Sequence, residues 1–479
     1  MLIGFDLGTS AMKAILTDTG GNAIATASRR VAILRPEPGY CEIDPESYFN
    51  DVVDIIREIA ARCGSSGHIR AMSFCAASGN TLLLDENYNP VMNTISWLDS
   101  RSVGRAGELW PEIDGKRILQ QVGWPWAGSF PLAHLAWIRD FRPDVWKKAR
   151  YYTMNNDYVY HRLCGRLVVD PSKATTFYLL NQIEEDWNQE LLEYLNLKAT
   201  NLSEIVPSGA IAGTLKSDIC DRTGLSEETV VVAGSFDHPS AARSTGVFEE
   251  GDILLSAGTS WVAFTPLRHR ETGLENGMLV DPFMRPEGCW GGMLALTAVA
   301  ERIDALLTRR FGEVGALYER FDTLAMASPP GADGLMLDPL RQSADEIADL
   351  TGNSSDSSFC RAIMEGCVFL LVSKIRALEN VIDSGVRRSV MVGGPTKSPV
   401  WPSILAAAIG TPLHIPESNA HAGALGAAIM AGVGAGIFAD VRAGHEQMEM
   451  PTRVLEPGDT ETSIYGAIYR DFADKFSLK

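Results

Sequence analysis

Four short clusters in this chain hold residues that can do chemistry. The first lies in the stretch Leu2 to Leu16, where two apolar runs flank Asp6, Gly8, Thr9 and Ser10; that layout predicts a β-hairpin with a polar turn. Gly8 lets the backbone approach a ligand, and successive N–H groups with the Thr9 and Ser10 hydroxyls can wrap phosphate oxygens. A carboxylate so near phosphates needs a counter-charge, so Asp6 suits a hydrated Mg²⁺; an ordinary hairpin with a polar turn is the plainer alternative. The second cluster, Gly258-Thr259-Ser260 inside the run Gly251 to Phe264, repeats the strand–turn–strand layout. Two such hairpins, one opening each half, predict two similar lobes facing a nucleotide.

The third cluster is Gly234-Ser235-Phe236-Asp237-His238, directly after the β-branched run Thr229 to Ala233. An acid at a strand's C-terminal end stands where α/β folds place ligands. There it can orient and deprotonate a hydroxyl attacking a γ-phosphate, although a lone acid in that place can also be a helix N-cap. The fourth is Val392-Gly393-Gly394-Pro395-Thr396-Lys397-Ser398, between a strand and a helix. Its glycines let a flat base or a ribose lie against the backbone.

The elements that must position these residues follow from patterning. Asp18 to Asn22 reads as a turn and Ala23 to Arg29 as a returning strand; Asp44-Pro45-Glu46 opens an amphipathic helix through Ile59. Ile69 to Phe74 and Thr81 to Leu84 read as buried strands, and the alternation with helix argues α/β. Residues 120–181 form a less regular, aromatic-rich cap, 184–196 one exposed amphipathic helix, and Arg361 to Ile382 an apolar helix. Strand Arg388 to Val392 and helix Trp401 to Ile409 flank the fourth cluster. The small-residue run from Ala422 is a packed helix of the second lobe.

Composition excludes several classes. The chain has 479 residues, 46% of them hydrophobic, and a formal charge of −18, which disfavours nucleic acid and anionic membranes as partners. No window reaches the roughly 18 apolar residues of a spanning helix, and the start lacks a basic leader. The eight cysteines form no C-x-x-C pair and the eight histidines no metal spacing. Reduced thiols and a cytoplasmic location are expected. A dinucleotide fingerprint would need Gly-x-Gly-x-x-Gly, which Gly4 to Gly8 does not supply.

Taken together the clusters resemble the actin, Hsp70 and sugar-kinase superfamily, and within it the FGGY carbohydrate kinases of xylulokinase type. The resemblance rests on Asp6-x-Gly8-Thr9-Ser10-x-x-Lys13, Trp97-x-Asp99-x-Arg101, Asp157-Tyr158, Gly234 to Asp237, Gly258-Thr259, Gly393 to Ser398 and Ala424 to Ala427. It spans residues 2 to about 435. It implies an α/β fold of two RNase-H-like lobes with a cleft between them: residues 1–245 bind sugar and carry the base, and residues 246–479 bind ATP. By resemblance Asp237 is the catalytic base and Asp6 places Mg²⁺. Gly8, Thr9, Ser10, Gly258 and Thr259 line the phosphate path, with Lys13 serving phosphate or lying exposed. Gly393, Gly394 and Ser398 form the adenosine pocket; Ser78, Gly79, Asn80, Trp97 and His238 join Asp237 around the sugar, His238 being equally suited to a structural role.

The departures bear on substrate. Ser78-Gly79 replaces the Arg-Glu of glycerol kinases and the Met-His of xylulokinases, and His134 stands where the family usually has Lys. The loop from Asp338 is short and lacks Gly-Glu-Arg, and Pro395 is unusual in the adenosine loop. The expected activity is ATP-dependent phosphorylation of a small sugar, a pentulose-type ketose first, with polyol and sugar-acid kinases and a non-catalytic nucleotide-dependent binding protein as rivals. The expected partners are a small-molecule sugar and, as the assembly kept open, a second copy in a homodimer.

Overall fold

A computed structural model describes residues 1–63, 68–104, 114–312, 317–382, 385–448 and 450–478. In chain order the elements that matter here begin with strands β1 (Leu2–Leu7), β2 (Ala11–Thr17) and β3 (Ala23–Arg30), helix α1 (Pro45–Ala61) and strand β4 (Ala71–Ala76). Helices α2 (Asn155–Cys164) and α3 (Pro171–Thr176), strands β5 (Ile211–Thr214) and β6 (Val230–Phe236) and helix α4 (Asp237–Ser244) follow. Next come β7 (Asp252–Ala257), β8 (Trp261–Leu267), β9 (Trp290–Leu296), α5 (Val299–Phe311) and α6 (Asp356–Glu379). The last are β10 (Arg388–Gly393), α7 (Trp401–Ile409), β11 (Leu413–Pro416), α8 (Ala422–Gly434) and β12 (Thr452–Leu455).

The chain divides into two compact units. The first comprises Met1–Gly246, His269–Gly291 and His421–Glu449; the second comprises Val247–Arg268, Gly292–Ala420 and Met450–Lys479. The expected cut between 245 and 246 lies beside the first crossing, but the second half is not one continuous unit. Helix α8, expected in the second lobe, packs in the first. Its residues are small enough for the backbones to touch: a Cβ on Gly4 of β1 would stand 1.8 Å from Ala424 O, and one on Gly426 1.8 Å from Ser240 O of α4.

The first unit is built on a six-stranded sheet in the order β5-β6-β4-β1-β2-β3. β1 and β2 form the expected hairpin, with Asp6 opposite Lys13, and β4 runs parallel to β1 on its other side. α1 begins where Asp44 was expected to cap it, its carboxylate accepting from Ser47 N at 2.7 Å, and buries Val52, Ile55, Ile56 and Ile59. The second unit repeats the plan: β7 pairs antiparallel with β8 and parallel with β10, in the order β9-β8-β7-β10-β11-β12. In each unit the hairpin's first strand is thus sandwiched between its antiparallel partner and a parallel strand, as two RNase-H-like lobes require.

Two further expectations change. Residues 184–196 are not one exposed helix. Asp186–Trp187 pair as a short strand with Leu180–Asn181, and helix starts at Gln189 after Asn188 caps it through Leu191 N. Burying Trp187 in that strand outweighs the helical pattern of the run. The cap segment is also more regular than expected, with helices at Pro131–Phe141 and Asn155–Cys164. Among the described residues no helix is long and apolar enough to cross a membrane.

Candidate active site

The three parallel strands β1, β4 and β6 end together, and the pairing register aligns Asp6 with Cys75 and Cys75 with Ser235 in one row. Asp237 is the first residue of α4, immediately past β6. A parallel sheet delivers ligand groups at this carboxyl end.

The two acids are partly desolvated neighbours. Burial pushes the Asp6 carboxyl up to about 6; the Asp237 charge pushes the same way, while Lys13 and His238 oppose it. Burial lifts Asp237 to about 7, against a backbone bond from His238 N to its Oδ1 at 2.8 Å. The side chain of Asp237 nevertheless keeps 26% of its surface exposed, enough for a hydroxyl to reach it. His238 Nε2 lies 3.7 Å from Asp237 Oδ1, and burial lowers the imidazole to about 4, so at neutral pH the ring is an uncharged donor or acceptor.

Beside them the β1–β2 turn meets the Trp97 loop, for Trp97 Nε1 donates to Thr9 Oγ1 at 2.9 Å. The indole is thereby tied to the turn, and the Thr9 hydroxyl keeps its proton to donate elsewhere. Asp99 and Arg101 hold that loop. Asp99, fully buried, accepts from Cys41 N and Arg101, and Arg101 also pairs with Glu42 at 2.7 Å and stacks over Tyr40 at 3.7 Å. Gly79 sits at φ +86°, where a Cβ would strike the Phe130 ring at 2.8 Å with Trp97 just beyond. Phe130, Trp124, Phe236 and His238 continue this as a chain of edge-on rings. Ser78 and Asn80 are turned inward: Ser78 Oγ donates to Ala76 O at 3.4 Å, and Asn80 Oδ1 accepts from Asn155 N, the first residue of α2. His134 is fully buried on Thr81, and burial holds its imidazole down near 3, so it cannot replace a lysine's charge.

In the second unit the Gly258–Ser260 turn carries the first turn of α5, since Ala300 N donates to Thr259 O and Ala298 N to Ser260 Oγ. Gly393 has φ +107°, and a Cβ there would stand 2.1 Å from Ala257 O, whereas one on Gly394 would meet nothing within 4 Å. Gly393 is therefore required by the approach of β10 to β7; Gly394 alone leaves open space. Ser398 Oγ donates to Asp322 at 2.8 Å and accepts from Val400 N, starting α7. The sequence clusters thus assemble within each unit.

Several residues at the site had no sequence motif. Cys75 is fully buried and hydrogen-bonds Asp6. Lys173 is wholly buried, ion-paired to Asp170 at 3.0 Å and bonded to Phe74 O and Tyr160 Oη. Burial would lower its ammonium, but Asp170, Tyr160 and Asp157 outweigh that and raise it. Asp157, already marked by the Asp157-Tyr158 stretch, accepts from Ser203 Oγ at 2.7 Å and is lifted by burial to about 7. A capping signal at Asp170-Pro171 could have placed Lys173; nothing local could have paired it with Phe74.

The FGGY family of carbohydrate kinases matches the chain through its N-terminal domain over residues 1–243 and its C-terminal domain over residues 317–435. Gluconokinase of Bacillus subtilis is 26% identical, covering 98% of this chain and 91% of its own length. Xylulose kinase of the same organism is 26% identical over 98% and 95%. Ligand-bound xylulose kinase from Lactobacillus acidophilus has the same fold, with a TM-score of 0.88 at 21% identity and coverage of 99% and 97%. With both family domains matched in order across most of its length, this chain belongs to the FGGY family of carbohydrate kinases, phosphotransferases with an alcohol acceptor.

Proposed function

We propose that this kinase transfers the γ-phosphoryl group of ATP to a hydroxyl of an uncharged ketose, pentulose-type first, with Asp237 as the general base. One observation carries the reading. Asp237 stands at the carboxyl end of a parallel strand, partly exposed, with its carboxyl lifted to about 7, the range in which a base works at neutral pH. The sugar hydroxyl donates to Asp237; as its oxygen attacks phosphorus in line, the proton passes to the carboxylate and ADP leaves. A positioned base contributes about 10²–10⁴-fold.

Side-chain chemistry supports a neutral substrate. With Ser78 turned inward, Gly79, Trp97, Phe130 and an uncharged His238 offer hydrogen bonds and ring faces, and none of these residues is a cation for an aldonate carboxylate. Thr9, its oxygen already accepting from Trp97, has its O–H to give a phosphate oxygen, with Gly8, Ser10 and Lys13 beside it. In the second unit Gly258 and Thr259 would receive phosphate, and Gly393, Gly394 and Ser398 adenosine. The residues fit Mg²⁺: two neighbouring carboxyls raised to about 6 and about 7, the first despite Lys13, are chemistry that a divalent cation relieves. Asp6 would hold it, a single carboxylate sufficing for an ion that keeps waters and takes phosphate oxygens. When bound, Mg²⁺ neutralises charge on the transferring phosphoryl oxygens.

The test is ADP release with D-xylulose, D-ribulose, glycerol and D-gluconate, run beside Asp237→Ala. Turnover on a ketose that drops at least 100-fold in the variant is expected. Tenfold preference for gluconate would overturn the neutral substrate, and undiminished turnover in Asp237→Ala would overturn the base.

A further inference from the structure

β6 does not run straight into α4. Its register with β4 shifts between Val232 and Ser235, a bulge that re-aims whatever follows. Gly234 permits it, since a Cβ there would stand 2.2 Å from Phe74 O. The bulge takes backbone groups out of the ladder, and side chains take them up. Tyr160 Oη receives Gly234 N at 3.1 Å and Ser172 Oγ receives Phe236 N at 3.0 Å. Between them, Arg243 Nη1 donates to Ser235 Oγ at 2.6 Å. The three residues before Asp237 are therefore gripped one by one, from α2, α3 and α4.

Each grip is itself held. Ser172 Oγ donates to Asp281 Oδ2 at 2.7 Å, which turns its lone pairs toward Phe236 N. Arg243, fully buried, also donates to Phe283 O, so the Asp281–Phe283 segment anchors both sides. Lys173 donates to Tyr160 Oη at 3.3 Å, fixing the third. Among the described residues the Nε of Arg243 and Oδ1 of Asp281 are buried without hydrogen-bond partners. Burying two charged groups incompletely paired costs stability, and hydrophobic residues would fill the space more favourably. A charged grip on a bulge one residue from the base has a use that packing alone lacks: hydrogen bonds fix direction, and apolar contacts do not.

We infer that Ser172, Arg243 and Asp281 are positioning residues that aim the Asp237 carboxylate at the acceptor hydroxyl through the β6 bulge. The inference rests on Asp237 being the base. The hydrogen bonds of the clamp go to protein groups of β6 and of the Asp281–Phe283 segment, so its loss should misdirect the proton acceptor and leave substrate binding largely intact.

The experiment compares Ser172→Ala, Arg243→Lys and Asp281→Asn with the parent on the fastest substrate of the panel above, each variant also in an Asp237→Ala background. The expected result is kcat lowered 10- to 100-fold, sugar and ATP KM within threefold, and partial rescue in Ser172→Thr, which restores the hydroxyl. In the Asp237→Ala background the same changes should have no further effect, because groups acting as a unit are non-additive. Full kcat in Ser172→Ala and Arg243→Lys would overturn the clamp, as would equal losses with and without Asp237. Turnover that survives Asp237→Ala alone would instead overturn the base on which the clamp rests.

Discussion

Asp237 combines opposed demands. Its folded carboxyl titrates near 7, against about 3.9 in an unfolded chain. Between those values the folded state binds more protons than the unfolded one, so stability falls as pH rises from about 4 to about 7, and the loss is complete above. Asp237→Asn should therefore lose at least 100-fold in kcat yet melt higher than the parent at pH 8, with the gain vanishing near pH 4; calorimetry at both pH values checks it. A parent no less stable than the variant at pH 8 would mean the carboxyl is not held up by burial. In the parent, kcat/KM should fall about tenfold per pH unit below about 7, because the base form is lost. A profile flat from pH 8 to 5.5 would contradict this. Asp6, Thr9 and Asp237 were legible as residues because their types and local spacing name their chemistry. The Trp97–Thr9 bond was not, since it joins residues 88 positions apart, nor was the burial that shifts both acids, which elements distant in sequence supply.

At the scale of elements, α8 governs how closely the site can be built. Glycine inside a helix is ordinarily unfavourable by about 1 kcal/mol relative to alanine, so Gly426→Ala on propensity alone should stabilise. Here the new methyl would overlap Ser240 O at 1.8 Å, and overpacking of that kind costs roughly 1–3 kcal/mol or more. The melting temperature should drop, and a rise would show that α8 can move away. Gly423→Ala is milder, placing a methyl 3.1 Å from Asp6 Oδ2 and Cys75 Sγ. It should fold but need several-fold more Mg²⁺ for half-maximal rate, measured by titrating Mg²⁺ at saturating ATP. An unchanged requirement would separate Asp6 from the metal. The hairpins, α1 and α7 were readable because apolar periodicity, caps and turns are local. The start of the 189–195 helix was not, because Trp187 gains more from burial in a strand than its neighbours gain from helix.

For the whole molecule, the first unit completes its core with residues from far along the chain. Residues 1–246 expressed alone lack α8 and the 269–291 segment, leaving the faces of β1 and β4 at Gly4 and Cys75 uncovered. That fragment should bind a hydrophobic dye and melt without a cooperative transition, whereas a fusion restoring 421–449 through a short linker should regain cooperativity. A cooperative 1–246 fragment would show that α8 is an accessory. The chain carries a net charge of −18, and on the proposed reading phosphate would be received by backbone N–H groups, hydroxyls, Lys13 and metal.

Sequence by itself determined the α/β class, the repeated hairpin that marks two related lobes, and the family, because these are written in motifs of a few residues each. Only the tertiary structure decided that α8 belongs to the first unit, that a bulge precedes Asp237, and that Ser172, Arg243 and Asp281 converge beneath it. Those features arise where backbones approach within a glycine's reach and where buried polar groups must find partners, and both conditions are satisfied by residues that lie tens to hundreds of positions apart.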